Sequence, residues 1–296
     1  MSIRKGIILA GGSGSRLRPL TDFFCKQLLP VYDKPMIYYP LSTLMLLGIK
    51  DILIISTPKD TPILEAAIGS GAHLGINITY AVQEQPRGLA DAFIIAEDFI
   101  GNDAVCLMLG DNILHMASIG CEFADCRNLI KGAYIIGIPS TEPHRFGVIE
   151  YDEHKRVISL EEKPLNPKSD MVSIGLYFYD RTVVQKAKNL KPSDRGELEI
   201  TEINNMYLKE GNLRCKFLSR GSTWMDAGVF DSIVDAGVYM SIVEEHLGLK
   251  IGCIEEVAYM MDNITLDELC ILSEKYCNST YGDYLKTLCT KPFLRK

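Results

Sequence analysis

The feature that most constrains this chain is an apolar run near its amino terminus that passes directly into glycine-rich backbone. Lys5–Leu9 has the length and composition of a buried strand, and Gly11, Gly12 and Gly14 follow it, with cations just beyond. Glycines allow positive φ angles and carry no Cβ, so several backbone N–H groups can converge on one anion. The segment therefore predicts a strand that ends in a phosphate-binding loop.

The spacing of these glycines argues against two common phosphate loops. A Walker loop needs a Lys directly after its last glycine, whereas Arg16 occupies this region and no Lys follows a glycine. A dinucleotide fingerprint needs G-x-G-x-x-G, and Leu17 stands where its third glycine would be. A nicotinamide-dependent dehydrogenase is therefore disfavoured.

Apolar runs of strand length alternate with amphipathic stretches through the first two-thirds of the chain. The predicted strands are 5–9, 51–56, 77–82, 104–109 and 133–138, and the predicted helices between them are 36–47, 62–69 and 89–99. This alternation predicts an α/β fold with a Rossmann-like, doubly wound, mostly parallel central sheet. Ligands bind such sheets outside the carboxyl ends of the strands, where the glycine loop lies.

The pattern changes after Phe146. Shorter strands are predicted at 148–151, 157–161, 174–179 and 213–218, with a helix at 198–210. Beyond Asp226 the chain becomes helical, and Thr265 with Glu268 predicts a capping box. We expect a core over residues 1–243, divided into a nucleotide-binding part at about 1–140 and a smaller lobe at about 141–243. Residues 244–296 are expected to form a helical appendage.

Composition restricts the partners and the compartment. The net charge of −7 argues against nucleic acid as a partner, because phosphate backbones are held by broad basic surfaces. No apolar stretch has the character of a signal peptide or of a membrane span, so a cytoplasmic protein without membrane contact is expected. Nine cysteines are present without a C-x-x-C pair or zinc-finger spacing, and we expect free thiols.

Two aspartates stand where a sheet edge could hold a metal ion. Asp111 follows the predicted strand 104–109 and a glycine, a position from which a carboxylate can bind a hard cation. Taken alone, Gly110-Asp111-Asn112 is also typical of a plain turn. Asp226 lies between a strand and a helix, where a helix N-cap is an equally good interpretation.

Taken in order, the motifs of this chain resemble those of the sugar-1-phosphate nucleotidyltransferases, over most of residues 3–260. The resemblance is carried by G-G-x-G-[ST]-R-L-x-P-L-T, K-x-L-L-P, Q-x-x-P-x-G-L-A, L-G-D-N, R-F-G-V, E-E-K-P, G-L-Y-F-Y-D, R-G-E-L-E-I-T and W-x-D-x-G. It implies transfer of a thymidylyl group from dTTP to α-D-glucose 1-phosphate, giving dTDP-glucose and pyrophosphate. The implied step is an Mg²⁺-dependent in-line attack that opens dTDP-rhamnose and related deoxysugar synthesis.

The resemblance also assigns residues. The implied catalytic residues are Arg16, Lys26, Asp111, Lys163 and Asp226, and the implied Mg²⁺ ligands are Asp111 and Asp226. The implied nucleotide-binding residues are Leu9, Ala10, Gly11, Gly12, Ser13, Gly14, Ser15, Arg16, Lys26, Gln27, Gln83, Pro86, Gly88 and Asp111. The implied sugar-phosphate residues are Leu89, Leu109, Asn112, Gly147, Glu162, Lys163, Ser173, Tyr177 and Trp224. Because an amide both donates and accepts hydrogen bonds, the thymine contact is assigned to Gln83, together with Gly88.

Three departures from the family pattern bear on function. Ser173 stands where Val is usual beside the sugar, Ile113 to Met116 replace an aromatic residue and a glycine, and Met260 replaces an Arg. Family members are typically tetramers with a second nucleotide site near subunit contacts. Because methionine carries no charge for a phosphate, we expect weakened or altered feedback by dTDP-sugars at that site.

Two alternatives stay open. A related enzyme could prefer UTP or another hexose 1-phosphate, and a catalytically silent nucleotide-sugar sensor could share the fold. The sensor is disfavoured because the five implied catalytic residues are all present.

Overall fold

A computed structural model describes residues 2–12 and 14–290 of the chain, so Ser13 of the phosphate-binding loop lies outside the described residues. The strands are β1 (Lys5–Leu9), β2 (Pro30–Val31), β3 (Lys34–Pro35), β4 (Asp51–Ser56), β5 (Asn77–Val82), β6 (Val105–Leu109), β7 (Asn112–His115), β8 (Ala133–Pro139), β9 (Gly147–Tyr151), β10 (Val157–Glu162), β11 (Met171–Tyr179), β12 (Leu213–Phe217) and β13 (Thr223–Asp226). The helices are α1 (Leu20–Phe23), α2 (Tyr38–Leu46), α3 (Thr61–Ile68), α4 (Asp91–Ile95), α5 (Glu97–Ile100), α6 (Ile119–Glu122), α7 (Ala124–Arg127), α8 (Val183–Lys188), α9 (Ile200–Lys209), α10 (Phe230–Leu247), α11 (Ile254–Met260), α12 (Leu266–Lys275) and α13 (Thr280–Thr290).

The central sheet confirms the predicted α/β fold. Strands β5, β4, β1 and β6 lie side by side and are parallel. Helices cover both faces, so β1 has no polar face: Ile7 packs on Phe93 of one core, and Ile8 lies with Leu44 in the other. This explains why the run reads as continuously apolar rather than alternating. The carboxyl ends of β1, β4 and β6 meet at one edge, where the glycine loop begins.

The strands of the second part continue this sheet rather than forming a sheet of their own. Strand β11 runs antiparallel to β6, β8 and β9, and β10 pairs with β9. The pairing of β11 with β8 shifts in register between Ser173 and Tyr177, and such an irregularity bends a strand. In the described part of the chain, nine strands form one mixed sheet in this way. The boundaries of the nucleotide-binding and sugar-binding parts stay a prediction.

The prediction of one continuous helix over 89–99 is wrong. It divides into α4 and α5 at Ala96, whose φ of −86° and ψ of 11° leave the helical region. No glycine or proline marks this break, so the sequence carried no signal for it.

The carboxyl-terminal helices α11, α12 and α13 pack on the face of the core that contains α2. The capping box of Thr265 and Glu268 is confirmed at the start of α12. The expectation of nine free thiols is wrong for Cys270 and Cys289, which form a disulfide between α12 and α13. These helices bring the two Cα atoms to 5.7 Å, although nineteen residues separate them in sequence. Among the described helices, none combines the length and apolarity needed to cross a membrane.

Candidate active site

The loop after β1 has the backbone conformation that its glycines predict. Gly12 and Gly14 have φ angles of 99° and 58°, which a residue with a Cβ rarely adopts. The Gly14 carbonyl accepts a hydrogen bond of 2.8 Å from Thr21 Oγ1, which fixes the end of the loop. Arg16 follows in a short 3₁₀ helix, exposed at the edge of the sheet. The loop is therefore shaped to present backbone N–H groups and one cation to an anion.

A first cavity of about 190 Å³ opens beside this loop. Eight of the predicted nucleotide-binding residues line it: Leu9, Gly11, Gly12, Gln27, Gln83, Pro86, Gly88 and Asp111. The other lining residues are Leu89, Leu109 and Glu197. The predicted contacts Ala10, Gly14, Ser15, Arg16 and Lys26 do not line it. The side chain of Ala10 is buried in the core, which leaves only its backbone for a ligand.

A second, larger cavity of about 510 Å³ lies on the side of β11. The structure brings all nine predicted sugar-phosphate residues to it: Leu89, Leu109, Asn112, Gly147, Glu162, Lys163, Ser173, Tyr177 and Trp224. Arg16, Asp111 and Asp226 line it as well. Because Leu89, Leu109 and Asp111 line both cavities, the two spaces adjoin. A nucleotide in the first would have its phosphates near the second.

The two aspartates come together through a short antiparallel pair, β7 with β13. Its register places Asp226 opposite Asn112, and the Ala227 N–H donates to the Asp111 carbonyl at 2.9 Å. Lys26 Nζ lies 2.5 Å from Asp111 Oδ2. By contrast, the Asp226 carboxylate makes no hydrogen bond or ion pair with another residue in 2–12 or 14–290. Asp111 does lie in a turn, so the turn interpretation is confirmed and is compatible with its pairing to Lys26. The N-cap interpretation of Asp226 is wrong, because Val229 is the residue that precedes α10.

The electrostatics of the pair suit a bound cation. Burial favours a raised pKa for Asp111, but the ion pair with Lys26 outweighs it and holds that pKa below its usual value. Burial and the neighbouring Asp111 charge raise the pKa of Asp226, against the opposing effect of Lys26 and Arg16. A divalent cation would relieve this repulsion. Among the described residues, no group of three or more His, Cys, Asp or Glu is placed to hold a metal ion, so these two carboxylates are the candidate ligands that the sequence and the geometry share.

Hydrogen bonds fix the floor of the second cavity. Asn112 is buried, and its Oδ1 accepts from Trp224 Nε1 at 2.7 Å and from the Gly175 N–H at 2.9 Å. Its Nδ2 donates to Asp111 Oδ1 at 3.0 Å. Any Cβ at Gly175 would lie 2.6 Å from Asn112 Oδ1, so only glycine fits there. This network joins Asp111 to the wall of the cavity.

Charged side chains surround the upper part of the second cavity. Thr201 Oγ1 donates to Glu162 Oε2 at 2.5 Å, while Lys163 Nζ lies 3.7 Å from Glu162 Oε1. Lys163 has a φ of 44°, a strained conformation for a residue with a side chain. Gly147 faces the same space, and a Cβ there would lie 3.4 Å from Glu162 Oε2. The arrangement offers an acceptor for hydroxyl groups beside a cation for a phosphate.

Several residues that line the second cavity were not assigned to the site from sequence. They are Arg145, Phe146, Gly175, Arg195, Glu197, Glu199, Ile200 and Thr201. The R-G-E-L-E-I-T motif contained five of them, so its match was the available signal. Gly175 gave none, because its role depends on Asn112, 63 residues away. Met260 ends α11 and lines neither cavity, so the expectation about feedback stays a prediction.

Comparisons with known proteins agree with this geometry. A family model described as nucleotidyl transferase matches residues 5–241. A glucose-1-phosphate thymidylyltransferase of Neisseria meningitidis is 49% identical over 287 residues, covering 97% of this chain and 100% of that protein. One from Mycolicibacterium smegmatis is 48% identical over 284 residues, covering 96% of this chain and 98% of that protein.

Solved structures give the same result. A Bacillus anthracis protein described as a glucose-1-phosphate thymidylyltransferase, in complex with a sucrose, has a TM-score of 0.74 and 43% identity over 79% of this chain and 94% of that chain. A UDP-glucose pyrophosphorylase complexed with UDP-glucose shares the fold, with a TM-score of 0.72 and 22% identity over 81% of this chain and 99% of that chain. The chain therefore belongs to the nucleotidyl transferase family, and within it to the glucose-1-phosphate thymidylyltransferases.

Proposed function

We propose that this chain transfers the thymidylyl group of dTTP to α-D-glucose 1-phosphate, releasing pyrophosphate and forming dTDP-glucose. One observation carries the proposal: a cavity that contains the Gln83 amide and a larger cavity that contains Glu162 and Lys163 adjoin at Asp111, and Asp226 lines the larger one. The relatives named above support the choice of thymidylyl group and glucose 1-phosphate. We place the reaction at the start of a route to dTDP-rhamnose or a related deoxysugar.

The proposed reaction is a single displacement at the α-phosphorus. An oxygen of the sugar phosphate forms the new bond to phosphorus, and the bond to the bridging oxygen breaks as pyrophosphate leaves. Lys163 would hold the attacking phosphate, and Arg16 with the backbone of the glycine loop would hold the departing one. Such positioning lowers the barrier because it aligns the reacting atoms before reaction and neutralises their charge. No protein nucleophile is required.

Asp111 and Asp226 would hold a divalent metal ion, for which we propose Mg²⁺. When bound, it would neutralise negative charge on the phosphates. Lys26 keeps Asp111 ionised and therefore ready to bind a cation. Asp226 completes the site from the opposite strand, so closure of β7 on β13 sets the geometry of both ligands.

The direct test is pyrophosphate release by the purified protein with glucose 1-phosphate and Mg²⁺. Parallel reactions contain dTTP, UTP, CTP, ATP or GTP. We expect the highest kcat/KM with dTTP, loss of turnover in EDTA, and loss in folded Asp111→Ala and Asp226→Ala proteins. Asp235→Ala, at an exposed position on α10, is the control and should retain activity. Preference for UTP would favour the related enzyme, and silence with every nucleotide would favour another sugar phosphate or the sensor.

We further propose a cytoplasmic protein that works as a homo-oligomer, a tetramer by its resemblance to the family. An apolar stripe on the exposed side of α10 supports association between copies of the chain. Its members are Phe230, Val234, Val238, Ile242 and Leu247. Light scattering of the purified protein tests this proposal, and a monomer at micromolar concentration would contradict it.

A further inference from the structure

The orientation of the Gln83 side-chain amide is fixed by its neighbours. Gln83 follows β5 directly, and its backbone N–H donates to the Ser56 carbonyl at 2.7 Å. Its side-chain Nε2 donates to Asp91 Oδ2 at 3.0 Å and to the Gly88 carbonyl at 3.3 Å. A carboxylate and a carbonyl can only accept hydrogen bonds, so the nitrogen end of the amide is the end that fits between them.

The opposite end of the amide faces the glycine loop. A Cβ built on Gly11 would lie 2.8 Å from Gln83 Oε1, and both residues line the first cavity. Within residues 2–12 and 14–290, Gln83 Oε1 accepts no hydrogen bond from another residue. Gln83 therefore presents a free acceptor, and not a donor, to this cavity.

An acceptor at this position distinguishes pyrimidines by the chemistry of N3. Thymine and uracil carry a hydrogen on N3 and can donate to Oε1. Cytosine has a bare N3 that would meet Oε1 as a second acceptor. A site built around a hydrogen bond rejects an analogue that leaves its polar groups unpaired. The same amide rotated by half a turn would reverse the preference.

Asp91 and the Gly88 carbonyl together oppose this rotation, and Asp91 is the side chain of the two and makes the shorter bond. It begins α4, and its side chain is 1% exposed. Its second oxygen, Oδ1, accepts from Arg87 Nη2 at 2.7 Å, so both ends of the carboxylate are occupied. Arg87 lies four residues earlier, in the loop before α4, and is 59% exposed. Neither Asp91 nor Arg87 lines a described cavity that holds Gln83, so each can act on a base only through Gln83.

We propose that Asp91, held by Arg87, is a positioning residue that fixes the Gln83 amide and so sets selectivity for pyrimidine nucleotides that donate from N3. The inference rests on the proposed function, because it takes the first cavity as the base site. It goes beyond that function by assigning selectivity to a pair of residues that the nucleotide does not touch. A purely structural ion pair would leave selectivity unchanged.

The decisive variant is Asp91→Asn, which keeps the size of the side chain. Arg87 can only donate, so it should hold the oxygen of the new amide and leave its NH₂ facing Gln83. The Gln83 amide must then rotate so that its oxygen faces the Asn side chain. This rotation presents Gln83 Nε2 to the base. We expect the ratio of kcat/KM for dTTP over dCTP to fall at least about tenfold, as loss of one hydrogen bond and gain of a mismatch imply.

Two further variants separate positioning from stability. Arg87→Met keeps the carboxylate of Asp91, so it should retain the dTTP preference. In the double variant Arg87→Met with Asp91→Asn, the new amide is free to rotate and offer its oxygen to Gln83 Nε2. Selectivity should therefore return towards that of the wild type, a rescue that a structural role does not predict. Thermal unfolding of each variant checks that it is folded.

The outcomes decide between the inference and the proposed function. Wild-type turnover of dTTP, with an unchanged dTTP to dCTP ratio in Asp91→Asn, overturns the inference and leaves the function intact. If Asp91→Asn does not fold, Gln83→Leu replaces it, and an unchanged ratio there overturns the inference as well. A wild-type protein that uses no pyrimidine nucleotide overturns both. If the wild type uses UTP instead of dTTP, only the function changes, and UTP over CTP becomes the measured ratio.

Discussion

The two cavities that meet at Asp111 differ in how their polar side chains are held. At the first cavity, Gln83 is buried and hydrogen-bonded to Asp91, and the lining residue Asp111 is paired with Lys26, which is 11% exposed. In the second, Lys163 is 48% exposed and lies 3.7 Å from Glu162. If the first cavity binds the nucleotide and the second binds the sugar phosphate, as proposed, the nucleotide side is arranged before any ligand binds, whereas Lys163 on the sugar side can still move onto a ligand.

The difference has a physical origin in the sheet. Parallel strands end together at one edge, so residues just after β1, β4 and β6 are held by neighbouring backbone. The second cavity is built instead on antiparallel strands, with β11 irregular between Ser173 and Tyr177. Its charged residues lie at strand ends and in loops. We therefore expect substitutions on the nucleotide side to affect kcat and those on the sugar side to affect KM for the sugar phosphate.

The largest effect is expected from Lys26→Met. The substitution removes the cation that lies 2.5 Å from Asp111 Oδ2, and leaves two carboxylates facing each other. We expect kcat to fall about 10²- to 10³-fold, as for other groups that stabilise charge in a transition state. Lys188→Met is a matched control, because Lys188 pairs with Glu97 at the same distance of 2.5 Å, but Glu97 lines neither cavity, whereas Asp111 lines both. Steady-state kinetics showing a change in KM alone would contradict the comparison.

A smaller effect, on the other side, is expected from Lys163→Met. Hydrogen bonds to charged groups contribute about 1.5 to 3 kcal/mol, so KM for glucose 1-phosphate should rise about ten- to hundredfold. The KM for dTTP should stay near its wild-type value, since Lys163 does not line the first cavity. Kinetics with each substrate varied in turn check this. Equal changes in both KM values would mean that the two sides are coupled more tightly than their contacts suggest.

One buried carboxylate just after β11, that of Asp180, links this strand to the residue before β8 and to α9. Asp180 accepts hydrogen bonds from Gly132 N–H at 2.6 Å, Thr182 Oγ1 at 2.6 Å and Tyr207 OH at 2.9 Å. Burial works to raise the pKa of Asp180, but these hydrogen bonds outweigh it and hold the pKa below its usual value. The stabilisation is therefore present above the unfolded-state pKa, about 4, and is lost as the pH falls through the lower folded-state pKa.

Asp180→Asn should accordingly lower the free energy of unfolding by about 1 to 3 kcal/mol at pH 7. The difference from the wild type should shrink in acid, where the native carboxylate also takes up a proton. Urea unfolding at a series of pH values measures both quantities. Asp235→Asn is the control, because its exposed side chain makes no such contacts. If the difference in free energy of unfolding between the two proteins does not change with pH, the charge of Asp180 is not what stabilises these contacts.

Residue patterns predicted the strands and helices of the fold well, but they did not predict the contacts within the site. The run 51–56 is bounded correctly because its apolar residues end at the polar residues of a turn. The pairing of Gln83 with Asp91 was beyond sequence reasoning, since it requires the intervening loop to fold back on itself. The bond from Trp224 to Asn112 joins residues 112 apart, and only the closed β7–β13 pair brings them together. Motifs therefore located the site, and long-range packing decided its geometry.

The smallest effect, and the one that probes the sugar most directly, is expected from Ser173→Val. The Ser173 hydroxyl lies next to Tyr177 in the second cavity, buried and without a hydrogen-bond partner of normal geometry among the described residues. A sugar hydroxyl could supply that partner, at about 0.5 to 1.5 kcal/mol for a neutral hydrogen bond. KM for glucose 1-phosphate should therefore rise about three- to tenfold in the variant, with dTTP kinetics unchanged.

A series of monodeoxy analogues of glucose 1-phosphate identifies the hydroxyl that Ser173 contacts. Wild type and Ser173→Val should differ with every analogue except the one that lacks this hydroxyl, where their KM values should converge. Thr201→Val is the comparison within the same cavity, because the Thr201 hydroxyl already donates to Glu162. If Ser173→Val binds glucose 1-phosphate as tightly as the wild type and is more stable, the hydroxyl is simply an unpaired group. In that case the charged residues of the second cavity alone would determine its selectivity for the sugar phosphate.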